Sequence, residues 1–132
     1  MNKEFCHICG SPNVEIHHII FRSKAPYMKD AEINLISLCP EHHRGDNGPH
    51  KNRQIDLQLK EELQLQLLLL FNKEYYTEEE TQKLLNINKN NTRKLIKTLK
   101  VYDNVANKAA YKSYDIVKRC LGDRWYGDRE DI

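Results

Sequence analysis

The chain has 132 residues, room for one ordinary domain or two very small ones. Domains of that size usually need a staple, and a structural metal is among the commonest. A net charge of +2 points to no partner class by itself, and the longest apolar run, LQLQLLLLF at 63–71, is too short and too interrupted by Gln64 and Gln66 to span a membrane.

All six histidines and three of the four cysteines fall within the first fifty residues. The opening MNKEFCHICG is charged and leads into no apolar stretch, so no secretory leader is expected. Cysteines that keep company with histidines at ligand spacing read as metal ligands in a reducing cytoplasm rather than as disulfides. Cys120 stands alone, far from the others.

The first section, residues 1–53, carries Cys6-x2-Cys9, the doublet His17-His18, then Asn34 and Cys39-x2-His42-His43, ending in the turn-rich RGDNGPHKNR. Tetrahedral structural zinc takes four N or S ligands from two such short pieces, and Cys6, Cys9, Cys39 and His42 meet that description. Pro40 suits the first position of a helix, on which His43 lies ~100° round from His42 and so can serve a different site. His7 is expected to face solvent. His17, His18, His43 and His50 are left over, which a purely structural zinc module does not need.

Residues 54–73, QIDLQLKEELQLQLLLLFNK, read as one amphipathic helix with leucines at 59, 63, 67 and 70. So many leucines predict a helix that packs on both flanking sections or pairs with a second copy as a homodimer.

The third section, 74–132, starts with Thr77-x-x-Glu80, a capping box. A helix to Leu84-Leu85, a turn at Asn86-Ile87-Asn88 and a second helix through Thr92, Leu95, Ile96 and Leu99 follow. VYDNVANKAAYKSYDIV is expected to form a short wing, and SYDIVKRCLG a third helix ended by Gly122. Between Lys89 and Arg119 nine Lys or Arg stand against Asp103 and Asp115, the electrostatic footprint of a nucleic-acid contact or of a solvated helix face.

TEEETQKLLNINKNNTRKLIKTLK resembles the helix-turn-helix of excisionase-like and small phage regulator domains. That resemblance implies double-stranded DNA as partner and places Lys89, Asn90, Asn91, Arg93, Lys94 and Lys97 near it, the asparagines reading bases and the cations neutralising phosphates. A three-helix packing module is the other reading.

Cys6-x2-Cys9, Glu15-Ile-His-His-Ile-Ile20, Asn34-Leu-Ile-Ser-Leu-Cys39 and Pro40-Glu-His-His-Arg-Gly45 together resemble the HNH nuclease family, also called the ββα-metal fold, in its small phage-type form. The resemblance implies an α+β chain with a zinc-braced nuclease finger, and a metal-dependent endonuclease of phage or mobile-element type acting in the cytoplasm of a bacterial or infected cell. By motif position His17 and His43 become ligands of a catalytic divalent metal, Mg2+ or Mn2+, with His50 as a further ligand. His18 becomes the general base and Asn34 the residue that orients it through a hydrogen bond. Arg44 stands where it can hold a phosphate. Adjacent strand residues face opposite sides, so either the strand twists or bulges at the doublet or only one histidine serves, and base and ligand can exchange. The rival is a zinc-stabilised DNA-binding or regulatory module without catalysis.

Overall fold

A computed structural model describes residues 3–127. The ends of the first and third predicted sections, 1–2 and 128–132, lie outside the described residues. The chain is a mixed α+β molecule. Its order is β1 (Glu15–His18), β2 (Leu35–Leu38), α1 (Pro40–His43), α2 (Arg53–Leu70), β3 (Tyr75–Thr77), α3 (Glu78–Leu85), α4 (Lys89–Ile96), β4 (Asp103–Val105), β5 (Lys108–Lys112) and α5 (Ser113–Cys120). The strands β1 and β2 pair antiparallel, His17 opposite Ile36 and His18 opposite Leu35. Between them the loop 19–34 carries a 3₁₀ turn at Pro26–Met28.

Capping signals in the sequence are met as written. Thr77 accepts from the Glu80 amide while Glu80 returns a bond to the Thr77 amide, the reciprocal box that satisfies two orphan donors. Asn86 takes the left-handed conformation between α3 and α4 (φ 52°, ψ 47°), one that asparagine tolerates better than most. Gly122 does the same after α5, at φ 74°. The helix predicted over 54–73 spans Arg53–Leu70 because Asn52 caps its first amides and Phe71 leaves helical geometry. The second helix of the third section stops at Ile96 rather than reaching Leu99.

The expected wing is a hairpin of β4 and β5. Its two-residue turn, Ala106-Asn107, has both residues at positive φ, the type I′ geometry that matches strand twist. A third strand, β3, pairs with β5 and makes the order β3-β5-β4. Three residues, Tyr75-Tyr76-Thr77, give too little alternation to announce it.

One hydrophobic core runs through all three sections, with Met28 and Leu38, Leu63 and Leu67, and Leu95, Ile116 and Leu121 all buried. Burying each such side chain contributes about 1.5–3 kcal/mol. Leu59, Leu63 and Leu67 face this core, while Leu65 and Leu69 of the same helix are 51% and 75% exposed. Across the core, the Pro26–Met28 turn packs on α4. Tyr27 donates its hydroxyl to Arg119 O at 2.7 Å, and Arg119 donates to Leu95 O and Thr98 Oγ1. Arg119, counted above with the basic excess, is therefore used inside the fold. No helix among the described residues is long and apolar enough to cross a membrane.

Candidate metal centres

Among the described residues two clusters of ligand atoms form, Cys6/Cys9/Cys39/His42 and His17/His43/His50, each with its donor atoms within 4.8 Å of one another. In the first, Cys9 Sγ lies 3.7 Å from Cys39 Sγ, and His42 Nδ1 lies 3.3 Å from Cys39 Sγ and 3.9 Å from Cys6 Sγ. Tetrahedral zinc with bonds of ~2.3 Å to sulfur and ~2.0 Å to nitrogen sets such edges at roughly 3.5–3.8 Å. A disulfide at ~2.05 Å is out of the question, and all four cysteines are free. The residues fit a structural metal such as zinc. Burial works to raise the Cys6 thiol, but the backbone amides of Cys39, Cys9 and Ile8 outweigh it and hold the thiol down at about 6. His7 is exposed beside Glu62, as a bystander.

The second cluster is assembled from three local devices. Strand alternation puts Glu15 and His17 on one face of β1. Helix α1 supplies His43, turned away from the Cys/His cluster that His42 joins. Gly45 and Gly48 then let the chain fold back so that His50 returns to His43. A Cβ on Gly48 would stand 2.5 Å from the His43 carbonyl carbon and oxygen, and one on Gly45 would stand 2.5 Å from Glu41 O.

His17 is 2% exposed, and its Nε2 is buried with no hydrogen-bond partner. An unpaired polar atom in that position costs about 1–3 kcal/mol unless something binds it. The His17 ring lies 5.0 Å from those of His43 and His50, and His43 Nε2 is 3.0 Å from His50 Nε2. Burial, with His43 and His50 nearby, pushes the His17 imidazole down to about 3, so it stays neutral. Burial also lowers His50. Three convergent imidazole nitrogens, one of them orphaned, could hold a divalent metal ion of the transition series.

Glu15 completes the group. Its Oε1 accepts from His43 Nδ1 at 2.6 Å and is 3.2 Å from Arg44 Nε. The bond from His43, and after it Arg44, holds the Glu15 carboxyl below the ordinary carboxylate range. Sequence reasoning did not single out Glu15, although its place two residues before His17 on a strand was the signal. Phe21 stacks on His50 at 5.9 Å and is covered by Lys60 Nζ from α2 at 4.9 Å.

His18 stands outside the three-histidine cluster. Its Nε2 is 2.9 Å from Lys29 O. Since a carbonyl oxygen only accepts, Nε2 carries the hydrogen and Nδ1 keeps the lone pair. The expected hydrogen bond from Asn34 to His18 is not what forms. Fully buried, Asn34 accepts from Ile20 N at 2.8 Å and donates to Ile20 O and Met28 O at 3.1 and 3.2 Å. It fixes the loop whose next carbonyl, that of Lys29, holds His18.

On α4, Asn91 does not stand where an amide could read a base. Asn91 is 6% exposed, its amide donating to the Asn88 side chain, so it faces the core and not a ligand. Asn90, Lys89, Arg93, Lys94 and Lys97 are exposed. Arg93 pairs with Glu78 at 3.4 Å.

The chain matches no protein-family model, no curated protein and no solved structure.

Proposed function

We propose that this protein is a metal-dependent DNA endonuclease, of the type that the motif resemblance to HNH nucleases suggests, with α3, α4 and the β4–β5 hairpin serving as a helix-turn-helix with a wing. The observation that carries this reading is the buried, unpartnered Nε2 of His17 converging with His43 and His50, one residue along β1 from a histidine whose tautomer is already set.

Hydrolysis of a phosphodiester needs a water stripped of a proton and charge balanced on the phosphoryl group. The lone pair on His18 Nδ1 takes that proton as the water oxygen bonds to phosphorus. A neutral imidazole is the side chain most often used as a general base for such a proton transfer. The Lys29 carbonyl keeps the ring from turning and stabilises the imidazolium that results. His17, His43 and His50 would hold a divalent cation, which would supply charge neutralisation to the phosphoryl group and its leaving oxygen. The phosphorus to 3′-oxygen bond breaks and the departing oxygen takes a proton from solvent water, leaving a 5′-phosphate and a 3′-hydroxyl. Of Mg2+ and Mn2+, three imidazoles favour Mn2+, because Mg2+ prefers oxygen donors. Arg44, 71% exposed at its side chain and anchored to Glu15, is free to hold a phosphate with its outer nitrogens.

On α4 the DNA-facing set is Lys89, Asn90, Arg93, Lys94 and Lys97, with Asn90 in place of Asn91 as the base-reading amide. Exposed Leu65 and Leu69 form the face on which a second copy would pair, giving two cuts per duplex instead of a nick.

The test is cleavage of supercoiled plasmid with Mg2+, Mn2+ or EDTA, beside His18→Ala that retains its zinc. Metal-dependent nicking or linearisation that vanishes in the variant supports the assignment. Two inert proteins that still shift DNA in a gel would leave a zinc-braced binding module instead.

A further inference from the structure

The face of the molecule built by β3, β5 and the start of α5 carries a feature the endonuclease reading does not use. Two concavities, of about 540 and 360 Å³, adjoin there and share Lys112 in their walls. Tyr114 lines the larger, and Lys100 and Tyr102 the smaller.

The aromatic rings in these walls are open to solvent. Tyr102 is 43% and Tyr114 53% exposed, more than rings that serve only as core. Tyr75 lies opposite Lys112 across the β3–β5 pair, and its ring is 5.7 Å from that of Tyr102. Lys112 Nζ sits 5.3 Å from the centre of the Tyr102 ring. Lys100 and Lys112 are both exposed and form no ion pair among the described residues, unlike Lys73, Arg93 and Lys108, which do. Glu74, which accepts from the Tyr102 hydroxyl, and Asp115 also line these walls, without an ion pair to either lysine among the described residues. Exposed tyrosine rings beside lysines that form no ion pair are the chemistry that holds an unpaired nucleic-acid strand, bases stacking on the rings and cations following the phosphates. A duplex offers no free base faces and gains nothing from the rings.

We infer that this groove is a binding site for single-stranded DNA, separate from the exposed face of α4, with Tyr102 and Tyr114 as stacking platforms and Lys100 and Lys112 as phosphate contacts. Position supports it. Lys60 of α2, which covers the Phe21 ring beside His50, and Leu68, which lines the larger concavity, are eight residues apart on one helix. That is ~12 Å along the axis, so a single helix reaches from beside the histidine cluster to the wall of the larger concavity.

Binding is measured by anisotropy of a short labelled oligo-dT and of a labelled duplex, in buffer without added divalent metal or chelator, so that zinc stays and no cleavage occurs. Trp125, the sole tryptophan, packs edge-on against Tyr114 at 6.3 Å and reports the groove directly. Oligo-dT is expected to quench its emission. The double variant Lys100→Gln/Tyr114→Ala, whose two residues lie outside α4 and the β4–β5 hairpin, should bind oligo-dT roughly tenfold more weakly with duplex affinity unchanged, since one stacking platform and one phosphate contact are lost. Tyr114→Phe, which keeps a ring, should bind like wild type, and this separates lost stacking from a lost fold. Lys94→Gln/Lys97→Gln should weaken the duplex and spare oligo-dT. The inference falls if wild type shows neither binding nor quenching with oligo-dT, or if the loss follows the α4 variant instead. Because no catalysis is read, an inert nuclease can still pass this assay and an active one can fail it.

Discussion

Glu15 Oε1 and His43 Nδ1 are 2.6 Å apart, and that one bond decides which nitrogen of His43 faces the cluster. An ionised carboxylate only accepts, so the hydrogen sits on Nδ1 and the lone pair on Nε2 points toward His17 and His50. Removing a carboxylate behind a ligating imidazole typically lowers metal affinity by roughly 10–100-fold. Glu15→Ala is therefore expected to weaken binding of Mn2+ to the second centre by that factor while the zinc stays in place. Calorimetric titration with Mn2+ checks it, and an unchanged affinity would mean that His43 is not a ligand.

Gly48 makes a sharper test of how His50 reaches the site. A methyl group there meets the His43 carbonyl at 2.5 Å, so the segment 44–50 must move away from α1, taking His50 with it. Gly48→Ala should reduce metal stoichiometry from two per chain to one, read by elemental analysis after dialysis. Two metals in the variant would show that His50 contributes nothing.

What could be read in the sequence was whatever is written at short range. The Cys/His cluster depends on two gaps of two residues, and helices α3 and α5 are announced by a capping box and a terminal glycine. Glu15 was also legible in principle through the period of two along β1. The inward facing of Asn91 is a helix-stripe property, since it lies four residues before buried Leu95. The bond between Tyr27 and Arg119 was not legible, because no local pattern relates residues 92 positions apart. Nor was the work of Asn34, which acts through the loop 19–34 and not on His18 itself.

This distinction between Asn34 and His18 predicts different phenotypes. His18 is half-buried and donates one bond at the loop surface, so His18→Ala should lose roughly 10²–10⁴-fold in nicking rate with little change in denaturation midpoint. Asn34→Ala strands the buried Ile20 amide and two carbonyls, at about 1–3 kcal/mol for each group left unpaired. It should lower stability as well as activity. Urea denaturation beside plasmid nicking distinguishes the two, and equal stability loss in both variants would undo the assignment.

Zinc should be worth more to the fold than any single side chain. Cys6 and Cys39 are buried in the same core as Leu38 and Leu63, and stripping the metal leaves four ligands with nothing to hold them together. A ligand present at a thousandfold excess over its Kd stabilises by about 4 kcal/mol, which for a chain of this size corresponds to about 15 °C in Tm. Chelation, or Cys39→Ser, is expected to lower Tm by at least that amount, restored on adding zinc to the chelated protein but not to the variant. A Tm indifferent to chelation would rule out a structural metal at this cluster.

The two neighbouring asparagines of α4 separate recognition from packing. Asn91 lies in the buried stripe with Thr92, Leu95 and Ile96, whereas Asn90 shares the exposed face with Arg93, Lys94 and Lys97. Asn91→Ala should cost about 1 kcal/mol of stability and leave DNA affinity alone. Asn90→Ala should keep stability and reduce discrimination between target and random duplex, by an amount of about 1–3 kcal/mol if it reads one base bidentately. Neutralising Lys94 and Lys97 together should flatten the dependence of log K on log salt by about two units, one per phosphate contact. Binding isotherms across a salt series report both effects. A salt slope that does not change would place the DNA elsewhere than on α4.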